Sequence, residues 1–185
     1  MIMPIYIYGQ PVLKRKADPI AKDFQGLNQL IVDMYETMYE AQGVGLAAPQ
    51  IGHSIRLFVV DTTVMEDDEK DFKGMKQVFI NAEKVEEDGA LWEYEEGCLS
   101  IPQIRADVER PERIRLKFLN ERFEPQDIVL TGVNARVVQH EYDHIEGILF
   151  TERIKPIKRR LIKRKLENLR KGIVDADYPV RIRRQ

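Results

Sequence analysis

The stretch QHEYDHIEG, residues 139–147, carries the pattern H-E-x-x-H and decides how the rest of the chain must be arranged. Positions i and i+4 share one face of a helix, so His140 and His144 can chelate one ion while Glu141 projects beside them. A hydrolytic metal site takes three protein ligands and keeps one position open for water or substrate. The motif supplies two. One zinc-protease pattern adds a third histidine three residues after a glycine; Gly147 matches, but Phe150 stands at the histidine position. The next glutamates, Glu152 and Glu167, fall in a basic stretch and have no strong case as ligands. His53 follows Gly52 in a turn and reads as a surface residue. Cys98 is the better candidate. It lies in EEGCLSIP (95–102), where Gly97 permits close approach and Pro102 ends the segment. A thiolate with two imidazoles suits zinc or ferrous iron, and a metal would deprotonate a thiol that burial alone leaves neutral.

Residues 133–150 around the motif suit a helix. So do residues 156–171, with a proline in the first turn. Between 23 and 42, Phe24, Leu27, Ile31, Met34 and Met38 recur at three and four, which predicts a helix capped by Asp23 and ended by Gly43. The segments IRLFVVD, KQVFINAEKV, RIRLKFLN and DIVLTG read as strands, with an acidic loop MEDDEKD after the first and a turn ERFEPQ before the last. Strands in hairpin-like succession with helices at both ends predict an α+β fold. Antiparallel or mixed sheets would surround a central helix carrying the histidines. One domain spanning 1–185 accommodates this pattern.

Composition narrows the function. Of 185 residues, 43% are hydrophobic and 32% charged, an ordinary globular balance, and no apolar run approaches the ~20 residues of a membrane span. The N-terminus places apolar residues before its lysines, the reverse of a secretory signal, which predicts a cytoplasmic protein without a membrane partner. A single cysteine allows no internal disulfide. The net charge of −2 conceals an asymmetry: residues 151–185 hold 13 Lys and Arg against 4 Asp and Glu, and the rest of the chain 16 against 27.

Three motifs occur in order: GVGLAAPQ (43–50), EGCLS (96–100) and QHEYDH (139–144). Together they resemble the signature motifs of the peptide deformylases, bacterial type, along nearly the whole chain. Tyr142 and Ile145 depart from the residues expected there, but neither is a ligand position. The resemblance implies a monomeric metallohydrolase that removes the formyl group from the N-terminal formylmethionine of new polypeptides. It implies metal ligands at Cys98, His140 and His144, a catalytic Glu141, and Gln50 with the Leu99 N–H on the formyl oxygen. It implies Fe²⁺ as the cellular metal, with Zn²⁺, Ni²⁺ or Co²⁺ as substitutes. Its substrates would be N-formylmethionyl nascent peptides. The residues suit that chemistry: Glu141 can accept a proton from a metal-activated water, Gln50 offers side-chain donors and Leu99 a backbone donor.

A methionine pocket is expected from Val133 and Val137, seven and three residues before His140, with Val44 and Tyr94 completing its walls by family analogy. Gly43, Gly45 and Gly97 would leave backbone open to an extended peptide, as an added strand. Arg105 and Arg110 either contact the peptide or brace Asp143 and Glu96, and Glu96 is counted with the substrate-binding set. The basic helix and tail, 151–185, has Ile157, Leu161 and Leu169 as apolar contacts. It is either a solvated helix or a surface attracted to ribosomal RNA; DNA is not an expected partner. Two rivals remain: a peptidase using the same metal constellation, and an RNA-binding module with a structural metal closed by His53.

Overall fold

The computed structural model describes residues 1–65 and 72–182. Strand β1 (Ile5–Tyr6) leads to helix α1 (Leu27–Glu40) and then to strands β2 (Gly45–Ala47), β3 (Leu57–Asp61), β4 (Lys76–Cys98), β5 (Ile101–Leu119) and β6 (Pro125–Thr131). Helices α2 (Gly132–Ile145) and α3 (Pro156–Arg170) follow, and strand β7 (Val180–Arg181) ends the order. Strands β2 to β6 form one sheet in sequence order, every neighbour antiparallel, while β1 and β7 make a separate parallel pair. Sequential antiparallel neighbours need only tight turns between them, as the hairpin-like spacing predicts. The architecture is α+β. The expected acidic loop falls outside the described residues except for Met65.

Alternation in RIRLKFLN sends Ile114, Leu116 and Phe118 into the core and leaves Arg113, Arg115 and Lys117 toward solvent. Ala135, Val138 and Ile145 of α2 join the same cluster, packed with Phe58 and Phe79 of the sheet. Each large apolar side chain buried this way contributes about 1.5–3 kcal/mol. Helix α2 therefore lies across the sheet, and little of it meets water.

Three helix boundaries differ from the spacing-based expectation. Helix α1 starts at Leu27 behind Gly26 (φ 77°), with no Asp23 cap, and Gln42 (φ 55°) rather than Gly43 takes the left-handed conformation at its end. Phe24 kept the apolar period because it packs on the same cluster as Ile31 and Met34 from outside the helix. Helix α2 stops at Ile145, short of Phe150. Gly147 (φ 73°) turns the chain beneath residue 14, where a Cβ would stand 2.7 Å from the Lys14 carbonyl oxygen. Helix α3 buries Leu166 and Leu169, whereas Ile157 and Leu161 are 75% and 80% exposed. No helix among the described residues is long and apolar enough to cross a membrane.

Candidate metal centre

Three parts of the fold converge on one cleft of about 470 Å³. Helix α2 presents His140 and Glu141, with His144 buried one turn farther along. The end of β4 and the turn after it present Cys98 and Leu99, and the β2 edge with the 3₁₀ turn Ala48–Ile51 presents Gly45 and Gln50. One ligand atom from each of Cys98, His140 and His144 lies within 4.8 Å of the others, and Cys98 Sγ is 3.4 Å from His144 Nε2. Helical spacing joins the histidines; sheet pairing brings the cysteine, 42 positions upstream of His140, to them.

The ring of His140 is oriented from behind. Its Nδ1 lies 2.8 Å from a Glu96 oxygen, an arrangement that places the Nδ1 proton on the carboxylate side and turns Nε2 to the cluster. Glu96 is itself gripped by Arg110, through Nε at 2.7 Å and Nη2 at 2.9 Å, and by Arg136 Nη1 at 3.0 Å. Arg110 also donates to Asp143 at 2.8 Å, and Arg153 donates to the same carboxylate. Of the two roles open to Arg110, the geometry gives bracing. Arg105 instead pairs with Glu95 on the exposed rim, 2.8 Å away.

Burial and charge set the protonation states. Burial pushes the Glu141 carboxyl up to about 7, suiting it to exchange protons near neutral pH. Burial alone would raise the Glu96 carboxyl, but Arg110 and His140 outweigh it and hold it ionised. His140 is likewise opposed by burial yet raised by the Cys98 sulfur and Glu96, whereas His144 is lowered by burial and by the positive charge of His140 and Arg110. Glu141 Oε2 and His144 Nδ1 are buried without a hydrogen-bond partner among the described residues. A soft thiolate, two imidazoles and a nearby unpaired carboxylate oxygen form a donor set that fits a divalent transition metal.

Gln50 is locked in place. Its Oε1 accepts the Ala47 N–H at 2.9 Å, which turns Nε2 toward Ser100 Oγ at 3.2 Å and Cys98 Sγ at 3.5 Å. Gly45 sits against Glu141, so closely that a Cβ would fall 2.5 Å from Oε1. Gly43, Val44, Tyr94, Gly97, Leu99, Arg105 and Val137 all line the cleft, together with Glu96 and Gln50. Val133 is buried but is not among the lining residues. His53 is exposed and away from the cluster, and Glu152 and Glu167 make ion pairs with Lys14 and Arg170. Sequence reasoning missed Arg136, whose guanidinium lies 4.6 Å from the Trp92 ring centre and 5.8 Å from that of Tyr94. Its spacing four before His140 was the available signal. It also missed Tyr178, for which no local signal exists.

A sequence model described as Polypeptide deformylase matches residues 2–160. The peptide deformylase of Flavobacterium johnsoniae is 50% identical to this chain, the alignment covering 96% of the chain and 94% of the relative. That of Christiangramia forsetii is 48% identical, with 98% and 96% covered. The crystal structure of a peptide deformylase from Legionella pneumophila superposes with a TM-score of 0.80 at 39% identity, over 94% of this chain and 98% of that one.

Proposed function

The chain belongs to the polypeptide deformylase family, and from that premise we propose how its own residues remove the N-formyl group from formylmethionyl peptides. The observation that carries the mechanism is the gathering of Cys98, His140 and His144 at the cleft that Glu141 and Gln50 line. The family is metal-dependent, and we assign Cys98, His140 and His144 as the ligands, with Fe²⁺ as the cellular ion. When bound, the metal supplies Lewis acidity and lowers the pKa of water at the cleft. Glu141 takes a proton from the attacking water and delivers it to the leaving amine; its pKa near 7 serves both directions. Gln50 Nε2 and the Leu99 N–H donate to the oxygen of the formyl group as negative charge builds there. Each such donor is worth about 3–4 kcal/mol of barrier.

Glu96, held by two arginines, keeps His140 in its ring orientation. The methionine side chain is assigned to the wall formed by Val44, Tyr94 and Val137. The peptide backbone runs beside Gly43, Gly45 and Gly97, with Arg105 at the rim. We take the chain as one domain over 1–185, acting in the cytoplasm on nascent peptides. The cationic face of α3, with Ile157 and Leu161 exposed among the lysines and arginines, is the surface for ribosomal RNA.

Formate and free-amine release from formyl-Met-Ala-Ser, measured beside anaerobic metal analysis, test this reading. Formate release with bound iron and oxygen-labile activity is the expected outcome. Cleavage of the internal peptide bonds without formate would replace it with a peptidase.

A further inference from the structure

The segment behind α3 returns to the catalytic cleft. Gly172 (φ 81°) reverses the chain, residues 175–178 line the cleft, and β7 pairs with β1. That pairing is extended by Ile5 N–H on the Pro179 carbonyl at 2.9 Å and Ile7 N–H on the Arg181 carbonyl at 3.0 Å. Gln103 Nε2 adds a hydrogen bond to Asp175 at 2.8 Å. The strap itself, residues 172–181, lies beyond residue 160, where the family match ends.

The strap meets the turn that carries Cys98. The Tyr178 hydroxyl donates to the Leu99 carbonyl at 2.7 Å, and its ring packs against the cluster built around α1. The next carbonyl, that of Ser100, accepts the Tyr8 N–H at 2.9 Å, and Gln50 holds the Ser100 hydroxyl. Two consecutive carbonyls of a four-residue turn are therefore pinned, one from each end of the chain. Cys98 is already fixed by its pairing with Ile101. With Cys98 held by strand pairing on one side and the Leu99 carbonyl held on the other, the freedom of Leu99 to turn its N–H is restricted.

We propose that Tyr178 is a positioning residue for the deformylation step, its hydroxyl keeping the Leu99 N–H aimed at the formyl oxygen. The proposal rests on the reading of that N–H as an oxyanion donor. Its energetic scale is one hydrogen bond, which sets the effect at about three- to tenfold in rate.

The test uses the full-length, zinc-loaded enzyme and Tyr178→Phe, which removes the oxygen and keeps the ring packing. Expected are kcat lower by about three- to tenfold, KM for formyl-Met-Ala-Ser within twofold, unchanged zinc content and a melting temperature close to the parent. In ¹⁵N-leucine-labelled protein the Leu99 amide should shift and exchange faster with solvent. A second variant ending at Gly172 removes the strap whole and should reproduce both changes, at least as strongly. An unmoved Leu99 amide in Tyr178→Phe overturns the brace, whatever happens to kcat. A moved amide with unchanged kcat also overturns the proposal, and it locates the failure in the donor role of Leu99 rather than in the contact.

Discussion

Gly45 packs directly against Glu141 in the proposed active-site cleft, and Gly45→Ala tests whether the position of Glu141 governs the rate. An added Cβ would lie 2.5 Å from Oε1, 2.7 Å from Cγ and 2.8 Å from Cδ of Glu141. Ordinary contact begins near 3.4 Å, so the carboxylate must yield by about 0.9 Å at Oε1. Neither side can retreat freely. Gly45 is paired with Val60 in the sheet, and Glu141 stands on a helix buried along most of its length. Displacement of a reacting group by about 1 Å costs on the order of a hundredfold in rate. Crowding a packed interior costs about 1–3 kcal/mol of stability. The expected result is kcat for formyl-Met-Ala-Ser down about a hundredfold, with metal content unchanged by elemental analysis and a melting temperature lower by several degrees. An alanine variant that turns over at the parental rate would show that Glu141 tolerates the shift, and the assignment of proton transfer to its present position would be wrong.

The other predictions concern the ligand, the brace and the acid limit. Cys98→Ala should lose stoichiometric metal after dialysis, whereas Glu141→Ala should keep it and lose formate release; equal metal contents in the two would remove Cys98 from the ligand set. Arg110→Met leaves Glu96 and Asp143 without their shared partner, so denaturant unfolding should show a loss of about 3 kcal/mol or more. A loss below about 1 kcal/mol, the scale of an exposed ion pair, would mean that Arg136 and Arg153 suffice. Asp61 is the acid-side probe: burial opposes its ionisation, but Thr63, Tyr39 and Lys76 outweigh burial and hold its carboxyl below the ordinary value. A depressed folded-state pKa adds stability above the unfolded value of about 3.9 and loses it as pH falls through the folded one. Melting temperatures should therefore depend less on pH below about 4 in Asp61→Asn than in the parent. Parallel profiles would exclude that contribution.

Much of the site was legible because its parts are local. The i, i+4 spacing of His140 and His144 dictates one helical face wherever the helix sits, and alternation in RIRLKFLN dictates which side of a strand is buried. GVGLAAPQ and EGCLS could be recognised as short motifs for the same reason. With Phe150 where a third histidine would stand, Cys98 is the soft ligand the sequence offers, yet only the β4–β5 connection brings its sulfur to 3.4 Å from His144. Helix ends were less legible, since Phe24 and Phe150 keep an apolar period by packing from outside their helices.

What only the tertiary structure decided is the set of groups that hold the reacting residues still. Spacing leaves Arg110 open to peptide contact or to bracing and gives Arg136 no role, and only folding buries both against Glu96 behind His140. Tyr178 lies 79 positions from Leu99 and meets its carbonyl because β7 closes on β1. The grouping of His140, Glu141 and His144 follows from helical spacing, which a linear sequence records. Their orientation comes from hydrogen bonds and ion pairs across elements remote in the chain, and no local pattern encodes those.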